Sequence, residues 1–182
     1  MILNSKVEPS FAGKVALIVG ASRGIGAVTA RAFAHAGAAV VVAARDRQGL
    51  ESVVEGIRAE GGQALGVPTE VTDASSVEHL VKNAISTFGR LDAAFNNATD
   101  GPLPALLADI DPGDFDRGIR TNVLGTFLGM KYQIPAMVQS GGGAIVNHGF
   151  CGGTLWHRQS GSLCSRKVGN HWSDQSGRAR LR

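Results

Sequence analysis

The chain has 182 residues, enough for one globular domain, and 43% of them are hydrophobic, enough for a core of its own. No apolar run approaches the roughly 18 residues of a membrane helix, and residues 1–10 are too short and mixed for a secretory signal, so a cytoplasmic protein with no membrane partner is expected. The formal net charge of +3 does not argue for nucleic acid: residues 1–147 hold 12 Lys and Arg against 14 Asp and Glu, and the positive excess lies wholly beyond them.

Residues 14–19 (KVALIV) form a short β-branched run ending at Gly20, and residues 25–36 follow with small and apolar positions at helical spacing. That is strand, glycine loop, helix. The unit recurs, with strand 38–43 before helix 48–60 and strand 63–67 before helix 75–88. Residues 91–95 predict a fourth strand. A long helix is expected after Asp111-Pro112, carrying Phe115, Ile119, Val123, Phe127 and Met130 at three- and four-residue steps, and residues 144–147 make a fifth strand. Strands this apolar are covered on both faces, so the pattern predicts an α/β fold with a doubly wound parallel sheet and any ligand at the carboxyl ends of the strands.

In Gly20-Ala21-Ser22-Arg23-Gly24-Ile25-Gly26 the glycines stand where the first strand turns into the first helix. Gly20 permits the tight turn, Gly24 lets backbone approach a pyrophosphate, and Gly26 lets helix and sheet pack closely, with the helix N-terminus attracting the anion. About 20 residues on, where an acid would read a ribose 2′-hydroxyl and a base a 2′-phosphate, stands Arg45, with Arg23 as a second positive charge nearby. This favours NADP over NAD, which stays possible. The alternative is that both arginines are solvated and the neighbouring Asp46 matters more.

Through residues 11–147 the chain resembles the short-chain dehydrogenase/reductase family. Its glycine loop is similar to the family's TGxxxGxG, with Val19 at the Thr position. Glu70-Val71 stands where the family usually has Asp-Val against adenine. Asn96-Asn97-Ala98-Thr99 resembles NNAG with Thr for Gly, and Asn122 in Thr121-Asn122-Val123-Leu124-Gly125 matches the helix asparagine that anchors a water in the proton relay. The resemblance implies a Rossmann-like sheet, incomplete at its C-terminal side, and an NAD(P)-dependent oxidoreductase acting on an alcohol or carbonyl compound. It also implies a cofactor held by Gly20, Ser22, Arg23, Gly24, Ile25, Gly26, Arg45, Val71, Asn97 and Ala98.

The family's catalytic serine follows the fifth strand, its tyrosine comes thirteen residues later and its lysine four further. Those places hold Phe150, Leu163 and Lys167. Of the catalytic set only Asn122 and Lys167 are kept, and Phe150 and Leu163 carry no titratable proton, so the chain is expected to be catalytically inactive as written. A small-molecule substrate is expected only with an intact site; otherwise a non-catalytic nucleotide-binding module is the alternative.

Periodicity and catalytic residues end together after Asn147, which suggests a changed reading frame rather than point substitutions. With one extra base after the Asn147 codon, Phe150-Cys151 permits Ser or Phe, Leu163-Cys164 permits Tyr, Phe, Ser or Cys, and Lys167-Val168 permits Lys or Arg. All three family residues are allowed at their spacing. Residues 1–147 are thus expected to be the dinucleotide-binding domain and 148–182 an irregular basic tail produced by a frame change. The tail carries Arg158, Arg166, Lys167, Arg178, Arg180 and Arg182 against Asp174, without a nucleic-acid-binding motif, and Cys151 and Cys164 fit no metal or redox spacing. The family-type homo-oligomer is expected to be impaired.

Overall fold

The computed structural model describes residues 10–102 and 105–148. Five parallel strands, β1 (Val15–Val19), β2 (Ala39–Ala44), β3 (Gln63–Pro68), β4 (Ala93–Asn96) and β5 (Ala144–Asn147), lie in the order β3-β2-β1-β4-β5. Helices α1 (Gly24–His35), α2 (Arg47–Ala59) and α3 (Ala74–Phe88) connect the first four strands. Helices α4 (Pro112–Ile119) and α5 (Gly125–Gln139) lead to the fifth. The strand order reverses between β1 and β4, which opens a crevice at the carboxyl ends of the strands.

All of β1 is buried, and its alternating side chains feed two cores. Leu17 and Val19 join Val41, Leu80, Leu91 and Met137 on the face covered by α3 and α5. Ala16 and Ile18 join Val40, Val42, Leu50 and Ile57 under α1 and α2. A strand buried on both sides can be apolar at every position, which is why these runs lack polar alternation. Strands and first three helices agree with the sequence expectation to within two residues, as helix and strand ends normally do.

The long helix differs from its expected form. Residues Arg120–Leu124 take a π-helical turn between α4 and α5, and the apolar stripe does not face the core. Phe115, Val123 and Phe127 are exposed, Phe127 by 55%, whereas the buried face carries Gly125, Thr126, Leu128, Gly129, Gln133 and Met137. Close approach explains the choice of residues. A Cβ on Gly125 would stand 3.0 Å from Val71 Cγ2, and one on Gly129 would stand 3.0 Å from Asn96 Oδ1, so these two positions have to be small.

Candidate functional site

The cleft at the strand reversal has a volume of about 350 Å³. Its walls come from the glycine loop (Gly20, Ser22, Arg23), the end of β2 (Ala44, Arg45, Asp46), the turn after β3 (Thr69, Glu70, Val71) and the turn after β4 (Asn97, Ala98, Thr99), with Thr121 from the π turn. Seven of the ten expected cofactor positions therefore line one cleft: Gly20, Ser22, Arg23, Arg45, Val71, Asn97 and Ala98. Gly24, Ile25 and Gly26 form the first turn of α1 beside it, with Ile25 exposed.

Each loop glycine has a separate physical reason. Gly20 has a φ of +80°, and a Cβ there would lie 2.6 Å from Ala98 N, so the loop and the β4 turn touch through backbone alone. Gly24 has a φ of +58° with open space around it, so its requirement is conformational. A Cβ on Gly26 would run into the Gly20 carbonyl and lie 2.9 Å from Ala21 Cα, which holds the helix start against the loop.

The N-terminus of α1 lacks the side-chain cap that α2, α3 and α4 have. Asp46 accepts from Gly49 N at the start of α2, Asp73 from Ser75 and Ser76 N at α3, and Asp111 from Gly113 and Asp114 N at α4. At α1 the N-cap is Arg23, with no capping side chain and no acid in the first turn. Its first N–H groups carry the positive end of the helix dipole toward the loop. Asp46, the alternative reader of the ribose, is engaged as the cap of α2.

Behind the cleft a buried amide network sets the β4 turn. Asn96 Nδ2 donates to Gln133 Oε1 at 3.0 Å and to Asn147 Oδ1 at 2.9 Å, and Gln133 Nε2 donates back to Asn96 Oδ1 at 2.8 Å. Gln133 is 0% exposed, and this reciprocal pair ties β4 to α5 while the Asn147 bond adds β5. The next residue, Asn97, donates its backbone N–H to Val19 O at 2.9 Å and its side-chain Nδ2 to Gly20 O at 3.1 Å, which links the β4 turn to the glycine loop. Thr99 stands at the family's glycine position without strain, since no described residue other than glycine has a positive φ.

Asn122, on the π turn, donates to the Asp100 carbonyl at 2.6 Å and fastens the segment after β4. Asp100 in turn meets Arg45 at 3.7 Å and Arg117 at 3.3 Å. The Arg117 guanidinium, bonded first by Asp114 and next by Asp100, is held above its ordinary pKa. Sequence reasoning missed Asp100, Gln133, Thr69 and Thr121 as site-forming residues. Their partners are distant in sequence, and polar residues at single positions carry no periodic signal. The other expected catalytic position, Lys167, lies outside the described residues, as do Phe150, Leu163 and all of the tail beyond His148.

The family model described as short chain dehydrogenase matches residues 14–157. An A-factor type gamma-butyrolactone 1'-reductase (1S-forming) of Streptomyces virginiae is 43% identical over 143 residues, covering 78% of this chain and 56% of that protein. A metagenomic short-chain oxidoreductase crystallised in complex with NADP superposes with a TM-score of 0.71 at 34% identity, over 76% of this chain and 62% of the other. An NAD+-bound xylitol dehydrogenase gives 0.73 at 34% identity, over 75% and 53%. The chain thus spans little more than half the length of relatives such as the reductase. No helix among the described residues is long and apolar enough to cross a membrane.

Proposed function

The chain belongs to the short chain dehydrogenase family, and from that membership we propose that residues 1–147 bind a nicotinamide dinucleotide, NADP(H) ahead of NAD(H), without completing hydride transfer. The observation that carries this reading is the cleft itself, where the uncapped start of α1, the glycine loop and Arg45 meet at the strand reversal. The fit is chemical as well as geometric. The α1 N–H groups and the Gly20-to-Gly26 loop would hold the pyrophosphate, Val71 and Ala98 offer apolar contact, and Arg45 would take a 2′-phosphate. A bound nicotinamide supplies the site for hydride exchange with an alcohol or carbonyl compound.

The loss of catalysis rests on Phe150 and Leu163, which cannot polarise a carbonyl or exchange a proton. In an intact site Asn122 would anchor the relay water and Lys167 the nicotinamide ribose. We attribute residues 148–182 to a changed reading frame, a basic tail appended to the domain.

The test is a fluorescence titration of the full chain with NADPH and NADH, beside Arg45→Ala. Charge-assisted bonds to a guanidinium support an NADPH affinity roughly 10-fold or more above that of the variant, with NADH changed little. Nicotinamide absorbance should stay constant with carbonyl substrates. Equal weakening of both dinucleotides would refute the assignment of Arg45, and turnover would refute the inactivity.

A further inference from the structure

Arg45 reaches across the cleft. Its Nη1 stands 3.8 Å from Glu70 Oε2 and its Nη2 stands 3.7 Å from Asp100 Oδ2. Glu70 follows β3 and Asp100 follows β4, with β2 and β1 running between those strands, so one guanidinium spans carboxylates from opposite walls. Neither contact reaches the ~2.7–2.9 Å of a charge-assisted hydrogen bond, and Arg45 is 67% exposed. The arginine is held loosely and a phosphate can take it.

The carboxylates are held far more firmly than the arginine. Glu70 Oε1 accepts from Thr72 N at 3.0 Å and from Thr72 Oγ1 at 2.9 Å. Asp100 Oδ1 accepts from Gly101 N at 2.8 Å and from Arg117 Nε at 3.3 Å, while Asn122 clamps the Asp100 carbonyl. Both acids thus stay tied to their own turns by bonds that do not involve Arg45.

We propose that Asp100, assisted by Glu70, sets the ratio of NADP(H) to NAD(H) affinity by competing with the 2′-phosphate for Arg45. The proposal rests on the reading above, in which the dinucleotide lies in this cleft with its adenosine ribose at Arg45. A phosphate has to displace both carboxylates and then remains beside two charges of its own sign. A 2′-hydroxyl has no such repulsion. Arg117 acts in the opposite sense, because its contact with Asp100 reduces the negative charge that Asp100 presents to Arg45.

The experiment titrates NADPH and NADH into the full chain as wild type, D100N, E70Q and R117Q, at low and at raised salt. Asn keeps an oxygen for Gly101 N and Gln keeps one for Thr72, so the turns are conserved. Exposed ion pairs move equilibria by about two- to fivefold. D100N and E70Q should each raise the NADPH-to-NADH affinity ratio by that factor, and R117Q should lower it, with the differences shrinking as salt screens the charges. A merely structural role would shift both dinucleotides alike. If D100N loses its fold by circular dichroism, E70Q and R117Q decide through their opposite signs. Dinucleotide binding with an unmoved ratio overturns the proposal alone; no binding of either dinucleotide by the wild type overturns the cofactor reading and the proposal together.

Discussion

Replacing Gln133 with leucine puts an apolar side chain of similar size in a fully buried place and removes both of its amide bonds to Asn96. Asn96 Nδ2 keeps its bond to Asn147 Oδ1, but Asn96 Oδ1 loses its only donor among the described residues, in a place where Asn96 is itself 4% exposed. An unsatisfied buried acceptor costs about 1–3 kcal/mol, and a lost neutral hydrogen bond about 1 kcal/mol, partly offset by the more apolar leucine. Gln133→Leu should therefore destabilise by about 2 kcal/mol. Adding Asn96→Leu removes the stranded group, so the double variant should lose less than the sum of the single losses, with a coupling of about 1–2 kcal/mol. Urea unfolding followed by far-ultraviolet circular dichroism measures all four corners of the cycle. The pair also positions Asn97 against the glycine loop, so nucleotide affinity should fall even where the variant is fully folded. Strict additivity, or a single-variant loss below about 0.5 kcal/mol, would refute the account of the network as a closed amide pair.

Gly26→Ala drives a methyl into the Gly20 carbonyl, and because its neighbours there are backbone, the cost should be about 2–3 kcal/mol together with loss of dinucleotide binding. Thermal unfolding and NADPH titration of that variant check both. Asp92 shows the opposite balance of forces at the far end of the sheet. Burial tends to raise its pKa, but bonds from Arg90, Val15 N and Lys14 outweigh burial and lower it to about 2. Its folded value is below its unfolded one, so its contribution, on the order of 1–2 kcal/mol, is complete above about pH 4 and fades as pH falls toward 2. Asp92→Asn should flatten stability in that window, and an unchanged acid limb would contradict this assignment.

The order of elements was legible before the tertiary structure because its signals are local. Val15 to Val19 is apolar at every position, Gly20 and Gly24 need left-handed backbone, and Asp111-Pro112 announces the start of α4. The glycine loop could be placed against a cofactor for the same reason, since turn, close approach and helix start lie within seven residues. Helical spacing, by contrast, says that Phe115, Val123 and Phe127 share a face without saying that the face is buried. Only the approach of α5 to Val71 and Asn96 decided that Gly125 and Gly129 turn inward, while Phe115, Val123 and Phe127 face outward. The π turn that carries Asn122 likewise leaves no mark in the helical spacing of the sequence.

The remaining site chemistry comes from pairs that chain order keeps apart. Asn96 and Gln133 are separated by 37 residues, and Arg45 meets Asp100 only because the sheet order brings the ends of β2 and β4 to one crevice. By itself the sequence determined the family, the strand succession and the glycine loop proposed for the cofactor, because backbone conformation and burial on both faces constrain residue type position by position. The tertiary structure alone decided which polar groups close on one another around that loop, because hydrogen bonds and ion pairs depend on distances of a few ångströms between segments whose sequence carries no mark of the meeting.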